Sequence, residues 1–139
     1  MHESYQDGAV FTHSSKKASS CSKSSIPSSA PHRLIMNAPG FDFIRFRAID
    51  LIHFRLAPFF RDTADFIDEA LSSGGKVIVH CKQGISRSST LVVAFLMLKR
   101  GMATQEALTI IRSKREVMPN EGFLQHLRDL NERLSRERN

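Results

Sequence analysis

The sequence predicts an α/β fold in which a central, mainly parallel twisted sheet is flanked by helices. Segments with the pattern of strands come before a series of amphipathic helices along the chain. A short polar loop also joins a buried apolar strand, residues 76–80, directly to an apolar helix that begins at Arg87. This arrangement places a ligand at the carboxyl end of the strand. A chain of 139 residues that is 41% hydrophobic suits one such domain.

The N-terminal segment, residues 1–32, differs in composition from residues 33–139. Serine dominates from Ser14 to Ala30, with lysines and a proline between. Such a stretch buries little apolar area, so we predict a flexible or degenerate segment there and a folded domain over 33–139.

Two strands are predicted at the start of this domain. Residues 33–37 form a short apolar strand that Pro39 and Gly40 close. Residues 41–49 alternate between two sets of side chains, which is the period of a strand.

Four helical segments follow these strands. Residues 57–73 carry one apolar face, and Gly74 ends the helix. That face contains Phe59, Phe60, Thr63, Phe66, Ile67, Ala70 and Leu71. The helix over 87–100 is apolar nearly all round, which predicts a central position. Thr104 is the predicted cap of a helix over 105–117, and Asn120 that of the last helix. The last helix has one apolar stripe of Phe123, Leu127, Leu130 and Leu134.

The loop between the strand and the central helix has the chemistry of an anion site. Cys81 follows the strand, and Arg87 opens the helix. The N–H groups of the loop and of the helix N-terminus converge on one point, and the same dipoles favour a thiolate there. Arg87 can hold two oxygens of a tetrahedral anion with its planar guanidinium. The loop therefore predicts a phosphate pocket with a nucleophile at its floor.

The residues of this loop resemble a known family. His80, Cys81, Gly84, Arg87 and Ser88 fit the H-C-x-x-G-x-x-R-[S/T] loop of cysteine-dependent protein phosphatases. The run Gly84-Ile85-Ser86-Arg87-Ser88-Ser89-Thr90 resembles the dual-specificity branch, in its small atypical single-domain form. The similarity runs from about Phe43 to Leu134, and includes the helix before the catalytic strand (64–71) and the start of the last helix (119–124).

The resemblance also shows where the chain departs from the family. Dual-specificity domains open with a strand, a helix and another strand. Residues 9–18 only faintly resemble the opening strand, and the Ser-rich run stands where the helix is expected. We therefore expect a shortened or irregular N-terminal part.

The resemblance implies a role for each residue of the loop. Cys81 would be the nucleophile, Arg87 would bind the phosphate oxygens, and Ser88 would donate a hydrogen bond to the sulfur. The backbone of the loop would complete the phosphate cradle, which comprises Lys82, Gln83, Gly84, Ile85, Ser86 and Arg87. The alternative for Ser88 is a place in the first helical turn without a catalytic role.

A general acid is needed to protonate the leaving oxygen. The family places an aspartate roughly thirty residues before the cysteine, and Asp50 fits this position. Asp42, Asp62 and Asp65 are the competing candidates, of which the last two fall on the predicted helix.

Three further residues have supporting roles by resemblance. His80 would orient the loop rather than act as a base. Asn120 would bond the loop backbone, with a plain N-cap role as the alternative. Arg115 would reach a second phosphate or an acidic neighbour, with a solvated helix face as the alternative.

Composition and spacing exclude several other classes of protein. The net charge of +6 favours acidic partners, but the basic residues form no single block, so no nucleic-acid partner is expected. The six histidines show no ligand spacing, and neither a metal nor a cofactor is expected. No apolar run has the length of about 20 residues that crosses a bilayer, so no membrane partner is expected. We expect a monomer or weak homodimer in the cytoplasm, with the nucleus as a second compartment.

The two cysteines, Cys21 and Cys81, indicate a reducing compartment rather than a disulfide framework. Cys21 is either an idle thiol or a partner that traps oxidised Cys81 as a disulfide.

The leading hypothesis is a protein phosphatase that hydrolyses phosphotyrosine and phosphoserine or phosphothreonine through a phosphocysteine intermediate. By resemblance, mitogen-activated kinases are candidate phosphoprotein substrates. One alternative is a catalytically weak module that binds phosphoproteins. Another is a phosphatase acting on phosphoinositides or RNA 5′ phosphates, although lipid phosphatases tend to carry a second lysine where this chain has Ile85.

Overall fold

A single sheet is formed in the part of the chain that the computed structural model describes, namely residues 9–15, 33–38, 41–81 and 85–138, with side chains from Ala48 onward. The strands are β1 (Ala9–Ser15), β2 (Arg33–Ala38), β3 (Phe41–Arg47) and β4 (Val77–His80). They lie in the order β2–β3–β1–β4.

All pairings among these four strands are antiparallel. In β1, Phe11 faces Arg45 of β3 on one side and His80 of β4 on the other. The prediction of a mainly parallel sheet is therefore wrong for the described strands, whereas the α/β class is confirmed. Only two residues separate β2 from β3. A parallel pair needs a crossover of a dozen or more residues, so these neighbours can pair only as antiparallel strands.

The strand β1 lies within the segment 1–32, which the sequence sets apart from the folded domain. It pairs with both β3 and β4, so at least residues 9–15 belong to the sheet. Residues 16–32, which hold most of the Ser-rich run, lie outside the described residues. The domain boundary at residue 33 stays a prediction.

Helices pack against the β4 side of this sheet and against each other. A 3₁₀ turn, Ala57–Phe59, leads into α1 (Phe60–Ser72), which is followed after β4 by α2 (Arg87–Arg100), α3 (Thr104–Arg112) and α4 (Glu121–Arg138). The predicted helix over 57–73 thus begins as a tighter turn at Pro58. Gly74 follows it with a φ of 79°, a left-handed conformation that suits glycine.

The apolar face predicted for α1 is largely confirmed. Phe60, Thr63, Ile67 and Ala70 are buried. Phe59 and Phe66 are half-buried against the core, whereas Leu71 is 40% exposed at the margin of the face.

Helix α2 has the bounds that the sequence predicts and the central position that its composition predicts. It contacts β4, α1, α3 and α4. Leu91, Val93, Ala94 and Met97 are 0–1% exposed, so the helix is enclosed on most sides. Gly101 ends it with a φ of 70°.

Helix α3 is shorter than predicted, because it ends at Arg112 rather than Val117. After it the chain turns so that Val117 is buried, and Arg112 Nε donates to the Val117 carbonyl at 3.3 Å. Thr104 does not cap this helix. It is the first helical residue, Ala103 is the N-cap, and Thr104 Oγ1 instead donates to the Leu127 carbonyl of α4 at 3.3 Å.

Helix α4 carries its apolar stripe into the core. Phe123, Leu127 and Leu130 are buried, and Leu134 is partly buried against the same cluster. This cluster also includes Cys81, so the hydrophobic core directly supports the residue at which the predicted phosphate cradle begins.

Candidate active site

Cys81 lies where the sheet meets the central helix. It follows β4 and is 8% exposed, and its Sγ lies 3.3 Å from Ser88 Oγ in the first turn of α2. A thiolate at this point would receive both the dipole of the α2 N-terminus and the Ser88 hydroxyl proton. The predicted contact between Ser88 and the Cys81 sulfur is therefore present.

Arg87 is buried, and its side chain keeps one hydrogen-bond donor without a partner in the described part of the chain. Its side chain is folded inward as the first residue of α2, and the residue is only 4% exposed. Nη1 donates to the Ala48 carbonyl at 3.0 Å, which fixes the guanidinium. Within the described residues, the buried Nε has no hydrogen-bond partner. A buried guanidinium with such a donor can bind an anion, because leaving the donor unsatisfied is costly.

Side-chain hydroxyls secure the start of α2. The Ser86 carbonyl accepts from Ser89 Oγ at 2.9 Å and from Thr90 Oγ1 at 2.6 Å. Ser89 Oγ also lies 2.6 Å from the Ile85 carbonyl. All of these groups except Ile85 are buried, so the second half of the loop has a fixed backbone.

The first half of the predicted phosphate cradle, Lys82, Gln83 and Gly84, lies outside the described residues. Their roles stay predictions. Ile85 is 42% exposed at the edge of the site, whereas Ser86 is buried beneath it.

Asp50 is the candidate acid that the structure brings to this loop. It lies two residues after Ala48, whose carbonyl holds Arg87, and its Oδ1 accepts from Asn120 Nδ2 at 2.8 Å. The backbone N–H of Asn120 in turn donates to Ser86 Oγ at 2.9 Å. Asp50 is thus linked to Ser86 through Asn120, and to Arg87 through the nearby Ala48 carbonyl.

The competing aspartates are placed differently. Asp65 and Asp62 lie on α1, where Asp65 pairs with Lys99 of α2 at 2.6 Å on the surface. Asp42 lies in β3, and its side chain is outside the described part. The contacts therefore favour Asp50 over the two helical candidates.

Asn120 has the capping role, but its amide bonds an aspartate rather than the backbone of the loop as the resemblance implies. Its Oδ1 accepts from the Phe123 N–H at 2.9 Å and so caps α4, while its Nδ2 bonds Asp50. Beside it, the Met118 N–H donates to the Ile85 carbonyl at 2.9 Å. The residues at the start of α4 therefore hold both the Ile85-Ser86 segment and the segment that carries Asp50.

The two remaining supporting residues are less closely tied to the site. His80 ends β4 and is half-buried beside Cys81. Arg115 is exposed in the turn after α3. Their predicted roles as an orienter and as a binder of a second phosphate stay predictions.

Two features of the site escaped the sequence reasoning. One is the Ala48 carbonyl, a backbone group that residue type does not reveal. The other is Gly122, whose backbone lies so close to the Ile52 carbonyl that an added Cβ would be 2.0 Å from that oxygen. A glycine two residues after Asn120, in the first turn of a predicted helix, was the available signal.

Among the described residues, no group of three or more histidine, cysteine, aspartate or glutamate side chains could hold a metal ion. In the same part of the chain, no helix is long and apolar enough to cross a membrane.

Comparison with known proteins assigns the chain to a family. The family model "Dual specificity phosphatase, catalytic domain" matches residues 6–133. The chain belongs to this dual specificity phosphatase family. The match begins before β1 and ends within α4, so it includes every residue of the candidate site.

Curated and solved members of the dual specificity phosphatase family resemble the chain over most of its length. It is 49% identical over 85 residues to Dual specificity protein phosphatase 1 of Arabidopsis thaliana, covering 60% of this chain and 43% of that protein. The crystal structure of human DUSP28 superposes with a TM-score of 0.63 at 30% identity, covering 64% of this chain and 61% of that one.

A third match is the human tyrosine phosphatase-like serine/threonine/tyrosine-interacting protein. Its crystal structure has a TM-score of 0.59 at 36% identity and covers 61% of this chain and 57% of that one. The chain spans less than half the length of the curated relatives it matches.

Proposed function

We propose that the protein is a phosphatase that hydrolyses phosphotyrosine and phosphoserine or phosphothreonine on proteins through a phosphocysteine intermediate. The observation that carries the proposal is the buried Arg87, whose Nε lacks a partner within the described residues, directly beside the Cys81–Ser88 contact. A dianionic phosphate bound next to the sulfur would satisfy this donor. Membership of the dual specificity phosphatase family supports the same reaction.

In the first step, the Cys81 thiolate attacks phosphorus and forms an S–P bond while the bond from phosphorus to the substrate oxygen breaks. Arg87 and the loop N–H groups stabilise the negative charge on the equatorial oxygens. Asp50 in its neutral form gives its proton to the leaving oxygen, so the dephosphorylated hydroxyl departs uncharged.

In the second step, water attacks the phosphocysteine. Asp50, now a carboxylate, takes a proton from the water as the new P–O bond forms and the S–P bond breaks. Ser88 Oγ lies within hydrogen-bond distance of Sγ and donates its proton toward the departing thiolate. Inorganic phosphate leaves, and Asp50 is again protonated.

Phosphate release from p-nitrophenyl phosphate and from paired phosphotyrosine and phosphothreonine peptides tests the proposal. Cys81→Ser should abolish turnover of every substrate. Asp50→Asn should lower turnover of the peptides roughly 10²–10⁴-fold, the usual contribution of a general acid, and turnover of p-nitrophenyl phosphate less. Asp65→Asn is the matched control, since its surface ion pair with Lys99 lies on α1 and should not affect turnover. Unchanged turnover in Cys81→Ser would refute the mechanism.

The second candidate is a module that binds phosphoproteins without hydrolysing them. The likeness to a structure named as a serine/threonine/tyrosine-interacting protein favours it. Tight binding of a phosphopeptide by the wild-type chain, with no phosphate release in a single-turnover assay, would select this candidate. Adding an inositol phospholipid and a 5′-phosphorylated RNA to the same assay tests the non-protein substrates.

A further inference from the structure

Two contacts join the segment that carries the candidate acid to the start of α4. We name residues 48–52 the acid loop. Asp50 Oδ1 accepts from Asn120 Nδ2 at 2.8 Å, and two residues further along both segments the Ile52 carbonyl lies against the backbone of Gly122. Both contacts join residues about 70 positions apart in the chain, so the tertiary fold creates them rather than a local turn.

The orientation of the Asn120 amide is fixed from both sides. Oδ1 accepts the Phe123 N–H at 2.9 Å, and Nδ2 donates to Asp50. Rotating the amide by half a turn would place a donor against an N–H group and an acceptor against a carboxyl oxygen, so it would lose both bonds. The backbone N–H of Asn120 donates to Ser86 Oγ. Asn120 therefore also connects the acid loop to the segment that carries Ser86 and Arg87.

Gly122 determines how closely the acid loop approaches α4. A Cβ at this position would lie 2.0 Å from the Ile52 oxygen and 2.8 Å from its carbonyl carbon, distances that real structures do not tolerate. Both atoms belong to backbone, so the clash can be relieved only by moving the loop. Gly122 does not have a positive φ, so it is required for space rather than for backbone conformation. Alanine would favour the helix itself by up to about 1 kcal/mol.

We infer that Asn120 and Gly122 are positioning residues that hold the acid loop so that Asp50 presents Oδ2 as the proton donor. An N–H group on Oδ1 makes that oxygen the acceptor of the neutral carboxyl group, so the transferable proton is carried by Oδ2. The inference rests on the proposed function of Asp50. It extends that function by stating which contacts set the geometry of the proton transfer.

The leaving group provides the first test. p-Nitrophenol leaves readily without a proton, whereas phenol depends on the acid, so a misplaced Asp50 slows hydrolysis of phenyl phosphate more. Asn120→Ser keeps an N-cap side chain but cannot reach Asp50. Asn120→Ser and Gly122→Ala should each lower kcat on phenyl phosphate about tenfold more than on p-nitrophenyl phosphate. Glu121→Ala is the matched control, because the exposed Glu121 side chain pairs with Arg128 at the surface, and its loss should leave both rates unchanged.

A double-mutant cycle separates positioning from a general loss of structure. In the Asp50→Asn background, Asn120→Ser should have almost no further effect on phenyl phosphate, since the acid it positions is already gone. Equal losses on both substrates, or losses that multiply in the double mutant, would overturn the inference.

A second readout does not depend on turnover. Hydrogen–deuterium exchange of a peptide covering residues 48–56 should become faster in Asn120→Ser and Gly122→Ala, and should stay as in the wild type in Glu121→Ala. If the wild-type chain hydrolyses neither substrate, the proposed function fails while this exchange experiment still decides whether the two residues hold the loop. Unchanged exchange in both variants would refute the positioning role. If Gly122→Ala does not fold, Asn120→Ser alone decides.

Discussion

Arg87 Nη1 donates to the Ala48 carbonyl at 3.0 Å, and this bond joins the first residue of α2 to the residue after β3. It holds one edge of the guanidinium, while Nε in the same plane has no partner within the described residues. The fixed edge prevents the side chain from turning away when no anion is present. The site is therefore organised before its ligand arrives.

Arg87→Lys should remove this organisation although the charge is kept. An ammonium group cannot bond the Ala48 carbonyl and two phosphate oxygens in one plane, so kcat/KM on p-nitrophenyl phosphate should fall roughly 10²–10³-fold, the loss typical of one transition-state donor. Arg128→Lys is the matched control, since the Arg128 side chain is exposed and pairs with Glu121 at the surface of α4. Retention of more than about half of the wild-type kcat/KM in Arg87→Lys would show that a single charge is sufficient.

Ser88→Ala should slow the second chemical step rather than the first. The Ser88 hydroxyl lies 3.3 Å from Sγ, and in the proposed mechanism it stabilises the thiolate that leaves during hydrolysis of the intermediate. A hydrogen bond to a charged group contributes about 1.5–3 kcal/mol, so kcat should fall roughly 10- to 100-fold. Stopped-flow release of p-nitrophenol should show a burst close to one equivalent of enzyme, and acid quenching should trap phosphate on Cys81.

Ser89→Ala provides the comparison for this variant. Ser89 is also buried in the first turn of α2, but its hydroxyl bonds the Ile85 and Ser86 carbonyls instead of the sulfur. Ser89→Ala should lower the free energy of unfolding without producing a burst of p-nitrophenol. A burst of equal size in both variants would show that Ser88 has no specific role in the second chemical step.

The local elements of the site were predictable because consecutive residues encode them. The sequence His80 to Thr90 contains a strand end, a polar loop and an apolar helix, and α2 has the predicted bounds. Asn120 was only half predictable. Its capping role follows from the residues next to it, whereas its bond to Asp50 depends on how two distant segments meet.

Features that depend on the meeting of distant backbones were not predictable. The strand directions follow from which segments pair, and the pattern of β1 to β4 does not specify their partners. Likewise, the Ala48 carbonyl and the Ile52 carbonyl act as main-chain groups, so their residue types carry no signal. The end of α3 was misplaced because burial of Val117 outweighs the helical preference of the polar residues before it.

Leu127→Ala should destabilise the whole domain. Leu127 is 0% exposed in the core cluster that contains Cys81, and truncation there leaves a cavity. The free energy of unfolding should fall by about 2–5 kcal/mol in urea denaturation. Leu71→Ala removes the same atoms from a position that is 40% exposed on α1, and should cost less than about 1 kcal/mol. Similar losses in both variants would contradict the position of α4 in the core.

His126 should make the fold less stable in mild acid. Burial lowers the pKa of His126 below its ordinary value of 6.5, Arg55 lowers it further, and Asp129 opposes the shift. Its Nδ1 is buried without a hydrogen-bond partner among the described residues, so the protonated ring has a donor there that is not satisfied. The neutral form is therefore the one that the folded state favours.

This preference determines how the stability changes with pH. As pH falls through 6.5, the unfolded chain binds a proton that the folded chain does not yet bind, so the free energy of unfolding decreases. The decrease ends once pH is below the lowered pKa of the folded state, and the full contribution is present above 6.5. Urea denaturation at pH 7.5 and pH 5.5 should give a smaller difference in His126→Gln than in the wild type. His53→Gln, at an exposed position, should retain the wild-type difference. An equal pH dependence in the wild type and His126→Gln would show that other groups control the acid sensitivity.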